Sequence, residues 1–181
     1  MDPKLDKRLK LLDKKLNQLL EELKYYSEDQ LNRKPGEGKW SVIQVMHHML
    51  LAETGSLNYI QKKLSFSPEL KKKGILTASR KLALWFFLKT PFKFKAPEGV
   101  SGENLPEFAG FWDTAKQWKE QRTKLKSFLA TLPPELYRKE VYKHPFAGRL
   151  DLSGMVDFFD GHFDRHHKQI RKIIKNYTKQ R

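Results

Sequence analysis

Cysteine is absent from all 181 residues. Disulfides, thiolate metal ligands and a cysteine nucleophile are excluded together, so any metal must be held by imidazole, carboxylate or water. Long apolar runs are missing too. No stretch approaches the ~18 residues of a membrane-spanning helix, and the opening MDPKLDKRLK lacks the apolar region of a signal peptide. A cytoplasmic protein is the expectation. Neither Gly-x-Gly-x-x-Gly nor a phosphate-binding P-loop occurs, so nothing supports a nucleotide fold. Acidic residues are few, 21 against 36 basic ones, and the net charge is +15.

Apolar residues are present in quantity. They make up 39% of the chain, with 12 Phe and 4 Trp, enough for the core of one domain spanning residues 1–181. Leu9, Leu12, Leu16, Leu19 and Leu23 recur at three- and four-residue intervals and predict a first helix. EDQLNRKPGEGK then breaks the pattern with Pro35, Gly36 and Gly38. A second helix is predicted from an N-cap at Ser41 through about Leu64. A third begins near Pro106, carries Phe111, Ala115, Trp118, Leu125, Leu129 and Leu132 on one stripe, and stops at Pro133–Pro134. The fourth runs from about Ser153 to Tyr177. Before it, YRKEVYKHPFAGRLDL suggests a hairpin-like excursion turning at Gly148.

Four such helices predict an all-α protein, a four-helix bundle. Segment 65–105 is too long for a plain loop and predicts a helical or irregular insertion between helices two and three.

Histidine carries the chemistry. His162 and His166 stand one helical turn apart and continue the inward stripe of Met155, Phe159, Ile170 and Ile173. Imidazoles facing a core are costly unless their nitrogens find partners, and a metal ion, water or a carboxylate would each serve. His48 lies on an apolar face of the second helix, with His47 displaced by about 100°. Three imidazoles from two helices would leave one tetrahedral position open, as a catalytic divalent ion requires. The glutamate of a His-Glu-x-x-His site is missing, since Phe163 fills its place.

Two motifs carry a resemblance. One is Trp40–Ser41 opening the second helix, followed by His48 and then Glu53; the other is HFDRHHKQI, a His-x3-His pair followed by Gln169–Ile170. RKPGEGKWS and HPFAGRLDL add to it. With these, nearly the whole chain resembles the DinB/YfiT-like superfamily. The resemblance implies an up-down-down-up bundle that often dimerises. It also implies a divalent metal, nickel or zinc foremost, on His48, His162 and His166. Members with understood chemistry are metal-dependent hydrolases, or transferases that activate a low-molecular-weight thiol. Here such a thiol would be a cosubstrate beside a small-molecule substrate. His167 departs from the pattern, standing where many members carry Arg, and reads as a surface residue. His47 has the same status, and His144 reads as a solvated loop histidine.

Glu53 and Arg122 are the candidate catalytic side chains. Glu53 is placed to hold a ligand imidazole or to take a proton from bound water, and equally to be a solvated surface residue. Arg122 interrupts the apolar stripe of the third helix; it can pair with Glu53, bind an anionic substrate or snorkel outward.

The positive charge has its own readings. Between Lys62 and Lys95 there are ten basic residues and one acid, Glu69, and Arg171, Lys172, Lys175, Lys179 and Arg181 form a second cluster. A polyanion would suit this charge, but no nucleic-acid reading motif is present and specific binding to nucleic acid is not expected. In segment 78–95, Leu82, Leu84, Trp85, Phe86, Phe87 and Leu88 lie among Arg80, Lys81, Lys89, Lys93 and Lys95. Such a segment suits an anionic membrane surface, a lid over the site or a dimer interface. A non-catalytic basic bundle binding such a surface is therefore the alternative function.

Overall fold

Asp2 starts the first helix by accepting the N–H groups of Lys4 (2.8 Å) and Leu5 (3.2 Å) with one carboxylate oxygen. Pro3, which has no N–H to satisfy, opens helix α1 (Pro3–Leu23). Leu5, Leu9, Leu12, Leu16, Leu19, Leu20 and Leu23 form its buried side. This is a computed structural model, describing residues 1–90 and 100–178. Lys93, Lys95, Lys179 and Arg181 of the basic clusters lie outside the described residues.

The Pro- and Gly-rich link holds a short helix that its turn residues concealed, α2 (Glu28–Asn32). Ser27 and Gln30 cap it reciprocally. Ser41 and Gln44 do the same for α3 (Val42–Ser65), at the start read from the sequence. The insertion contains α4 (Ile75–Lys89), which packs along the last helix, and a short 3-10 turn at Gly102–Asn104.

Helix α5 (Phe111–Thr131) starts later than the expected position near Pro106. Its cap comes from elsewhere in the chain: both carboxylate oxygens of Glu28 accept from Phe111 N–H at 3.0 Å. Strands β1 (Tyr142–His144) and β2 (Gly148–Leu150) form an antiparallel hairpin. Gly148, at φ 75°, supplies the left-handed residue that closes the turn. Helix α6 (Leu152–Thr178) follows.

Cross-helix contacts fix the directions. Along α1 and α6 the pairs advance together, Arg8 with Asp157, Lys15 with Asp160 and Asp164, and Glu22 with Arg171, so these helices are parallel. On α3 and α5, His47 meets Thr114 and Glu53 meets Arg122, again parallel. Lys126 of α5 returns to Asp6 of α1, which makes the two pairs opposite in sense. The bundle is up-down-down-up. Joining α3 to a parallel α5 requires a connection that travels the bundle's length, and this accounts for the insertion.

The apolar core is divided. One cluster gathers Leu16–Leu23, Val42–Leu50, Trp118 and Phe163 with Ile170; the other gathers Leu5–Leu12, Leu57, Ile60, Leu125 and Leu129 with Met155 and Phe159. Polar side chains lie between the two along the helices: Glu53 and Ser56 on α3, Gln121 and Arg122 on α5, His162 on α6.

Candidate metal centre

His48 sits on the buried side of α3, and His162 and His166 lie one turn apart on α6. Because α3 and α6 pack antiparallel, the three imidazoles meet. One nitrogen from each lies within 4.8 Å of the other two. His48 Nε2 and His162 Nε2 are 3.1 Å apart, and the ring centroids are 4.5–5.0 Å from one another.

Their other nitrogens decide what they offer. His48 Nδ1–H donates to the Val100 carbonyl at 2.7 Å, and His166 Nδ1–H donates to Gln169 Oε1 at 2.8 Å. A carbonyl oxygen accepts only, so both rings carry their proton on Nδ1, and His48 Nε2 is left as an acceptor toward His162 Nε2. Lone pairs this close repel unless a proton or a cation lies among them. A tetrahedral ion with metal–nitrogen bonds near 2.1 Å spaces its nitrogens about 3.4 Å apart, close to the separation between His48 and His162. The donor set fits a divalent ion and leaves it a further position.

The electrostatics agree. Burial pushes the His48 imidazole below the usual histidine range, against a smaller opposing effect from its bond to Val100. His166 is pushed down to about 3, by burial first and then by His48. His162 lies well below its ordinary value for the same reason, with the neighbouring imidazoles adding to it. Burial thus favours the neutral form of all three rings, the form in which an imidazole binds a metal.

Aromatic rings wall the cluster. Phe158 stacks on His162 at 5.0 Å, and Trp40 leans on His48 at 4.9 Å. Phe158 and the Val100 carbonyl had no part in the sequence reading. Gln169 entered it only as part of a motif, although its position one turn beyond His166 was a signal for an orienting contact.

Glu53 and Arg122 are committed to each other. Arg122 donates from Nη2 to Glu53 Oε1 at 2.8 Å and from Nε to Oε2 at 3.1 Å, both side chains being buried. Arg122 Nη1 also donates to the Leu12 carbonyl, which ties α1 to α3 and α5. Of the uses open to Arg122, the pair with Glu53 is the one formed, and Glu53 is no solvated surface residue. His47 donates Nε2–H to Thr114 Oγ1, whose own hydroxyl goes to the Gly110 carbonyl. His167 pairs with Glu22 near the surface.

His144 corrects an expectation. It is buried, and its Nδ1 accepts the N–H groups of Phe146 (3.2 Å) and Ala147 (3.1 Å), so it organises the hairpin turn from inside. His144 ends a short strand rather than lying in a solvated loop, and the packing of that strand against α3 and α6 buries it.

The fold and site define a four-helix bundle with a three-histidine cluster between antiparallel helices. Residues 8–170 match the DinB superfamily, and the chain belongs to it. It is similar to the uncharacterized protein YuaE of Bacillus subtilis, 25% identical over 154 residues that cover 84% of this chain and 88% of that protein. Its fold is similar to that of YfiT from Bacillus subtilis, described as a probable metal-dependent hydrolase with an unusual four-helix bundle topology. The TM-score is 0.61 at 17% identity, covering 98% of this chain and 90% of the other. TT2238, a four-helix bundle protein, aligns with a TM-score of 0.53 at 18% identity over 93% and 97%.

Proposed function

We propose that the protein is a metal-dependent enzyme, a hydrolase or a low-molecular-weight-thiol transferase, with His48, His162 and His166 as ligands of one nickel or zinc ion. The convergence of one ring nitrogen from each of three imidazoles, two of the rings oriented by acceptors on Nδ1, carries this reading. The description of YfiT as a probable metal-dependent hydrolase supports it. A divalent ion held there supplies Lewis acidity, lowering the pKa of water or of a thiol. The chain has no cysteine, so a thiol nucleophile would arrive as cosubstrate. Gln169 and Val100 orient the ligand rings, while Trp40 and Phe158 restrict water around them. We assign Glu53 and Arg122 to positioning α3 against α5 and α1, since the guanidinium engages both carboxylate oxygens.

Elemental analysis of protein purified without a metal-affinity tag tests the proposal. About one ion per chain, lost in His162→Ala with the helices intact, is the expected result. Screening of ester and amide hydrolysis against thiol-adduct formation then separates the two chemistries. No bound metal, and none taken up by the apo-protein on titration, would overturn the proposal.

A further inference from the structure

Helix α4 is turned with its apolar side outward. Thr77, Leu84 and Leu88 are its buried residues, facing α6 and the hairpin. On the opposite side Ile75 is 91% exposed, Leu82 67%, Trp85 56% and Phe86 67%. These positions fall at i, i+7, i+10 and i+11, one face of a helix. Phe146 extends the same surface from the hairpin tip, 59% exposed and 6.0 Å from the partly buried Phe87. A water-facing helix normally carries its charge on this side. Here the charge lies inward: Arg80 reaches Glu140, and Lys81 reaches Asp151 and Asp157.

The charge around the face is mostly positive, with Glu69 the exposed acid just before Lys71 and Lys72. No acid occurs within α4. Lys71 and Lys72 are exposed just before it, and among the described residues no ion pair joins either to a carboxylate. Lys89, at its end, meets Asp164 only at 3.9 Å and stays half exposed. A second copy laid on this face would bring the same excess of positive charge against it. An anionic bilayer supplies what the face lacks, acyl chains for Ile75, Leu82, Trp85 and Phe86 and negative headgroups for the lysines.

We infer that the outer face of α4 docks on an anionic membrane surface, with the helix lying in the interface plane. No helix among the described residues is long and apolar enough to cross a membrane, so the attachment is peripheral. It is independent of the metal reading.

The test is co-sedimentation with vesicles of phosphatidylcholine alone and of phosphatidylcholine mixed with phosphatidylserine. Full-length protein should pellet with the mixed vesicles only, and added salt should release it. Leu82→Glu combined with Phe86→Glu changes exposed side chains only and should abolish pelleting with the circular dichroism spectrum unchanged. Lys71→Ala with Lys72→Ala should weaken it about fivefold per charge. His162→Ala should bind as the unsubstituted protein does. Equal binding by the Leu82/Phe86 variant would reduce the effect to general basicity and overturn the inference. So would absence of vesicle binding, whether the protein proves monomeric or proves a dimer that the same variant dissociates.

Discussion

Glu53 and Arg122 meet through two parallel hydrogen bonds, away from water, where the apolar core is interrupted. Removing Arg122 leaves the Glu53 carboxylate buried without its partner, and removing Glu53 leaves the buried guanidinium only the Leu12 carbonyl and Asp13 at 3.8 Å. Glu53→Gln or Arg122→Met should each lower the unfolding free energy by about 3–5 kcal/mol in urea denaturation. Glu53→Leu combined with Arg122→Met should recover most of that loss. A single variant as stable as the unsubstituted protein would mean that the pair is not withdrawn from water.

Gln169 holds the tautomer of His166, so its effect should appear in metal affinity rather than in folding. Gln169→Leu removes the acceptor, and affinity in chelator competition should fall about 10–100-fold. Gln169→Glu keeps an acceptor and should retain affinity. Unchanged affinity in the leucine variant would contradict the assigned orientation.

Burial pushes the His144 imidazole down to about 4. Between about pH 6.5 and that value, the unfolded chain binds a proton that the folded chain does not. Stability is therefore lost as pH falls through this window, by up to about 1.4 kcal/mol per unit from this group. Asparagine can present an oxygen where His144 Nδ1 accepts the two backbone N–H groups. In metal-free protein, His144→Asn should flatten the pH dependence relative to the unsubstituted chain while leaving the hairpin in place. An unaltered slope would remove His144 as a source of acid sensitivity.

A metal that binds the folded protein alone must stabilise it. At a free concentration about a hundredfold above the dissociation constant the gain is about 2.7 kcal/mol, a rise in Tm of about 5–10 °C for a chain of this size. Chelator should reverse the rise, and His162→Ala should not show it. Equal rises in both proteins would place the metal elsewhere.

Much of this architecture was legible because helices announce their buried side by spacing. The leucine stripe of α1, the cap at Ser41 and the inward line from Met155 to Tyr177 all appear where the pattern put them. What spacing does not contain is which helix faces which. Arg122 had three open uses until Glu53 was placed opposite it, and the Val100 carbonyl has no side-chain signature at all. The start of α5 at Phe111 has no local signal, because the carboxylate that accepts from its first N–H is Glu28, remote in sequence. Segment 78–95 was readable as basic and aromatic, but its pattern did not reveal that Leu84 and Leu88 turn inward while Leu82, Trp85 and Phe86 turn out.

The up-down-down-up order also has a consequence for synthesis. The chain is made from its amino terminus, yet α1 finds its packing partners in α5 and α6, and so does α3. The leucines of α1 and the apolar side of α3 therefore leave the ribosome well before the helices that will cover them. The last helix to emerge brings two of the three histidines. A nascent chain of this protein must travel most of its length with its greasiest surfaces waiting, and its three clustered histidines can meet only once α6 has emerged.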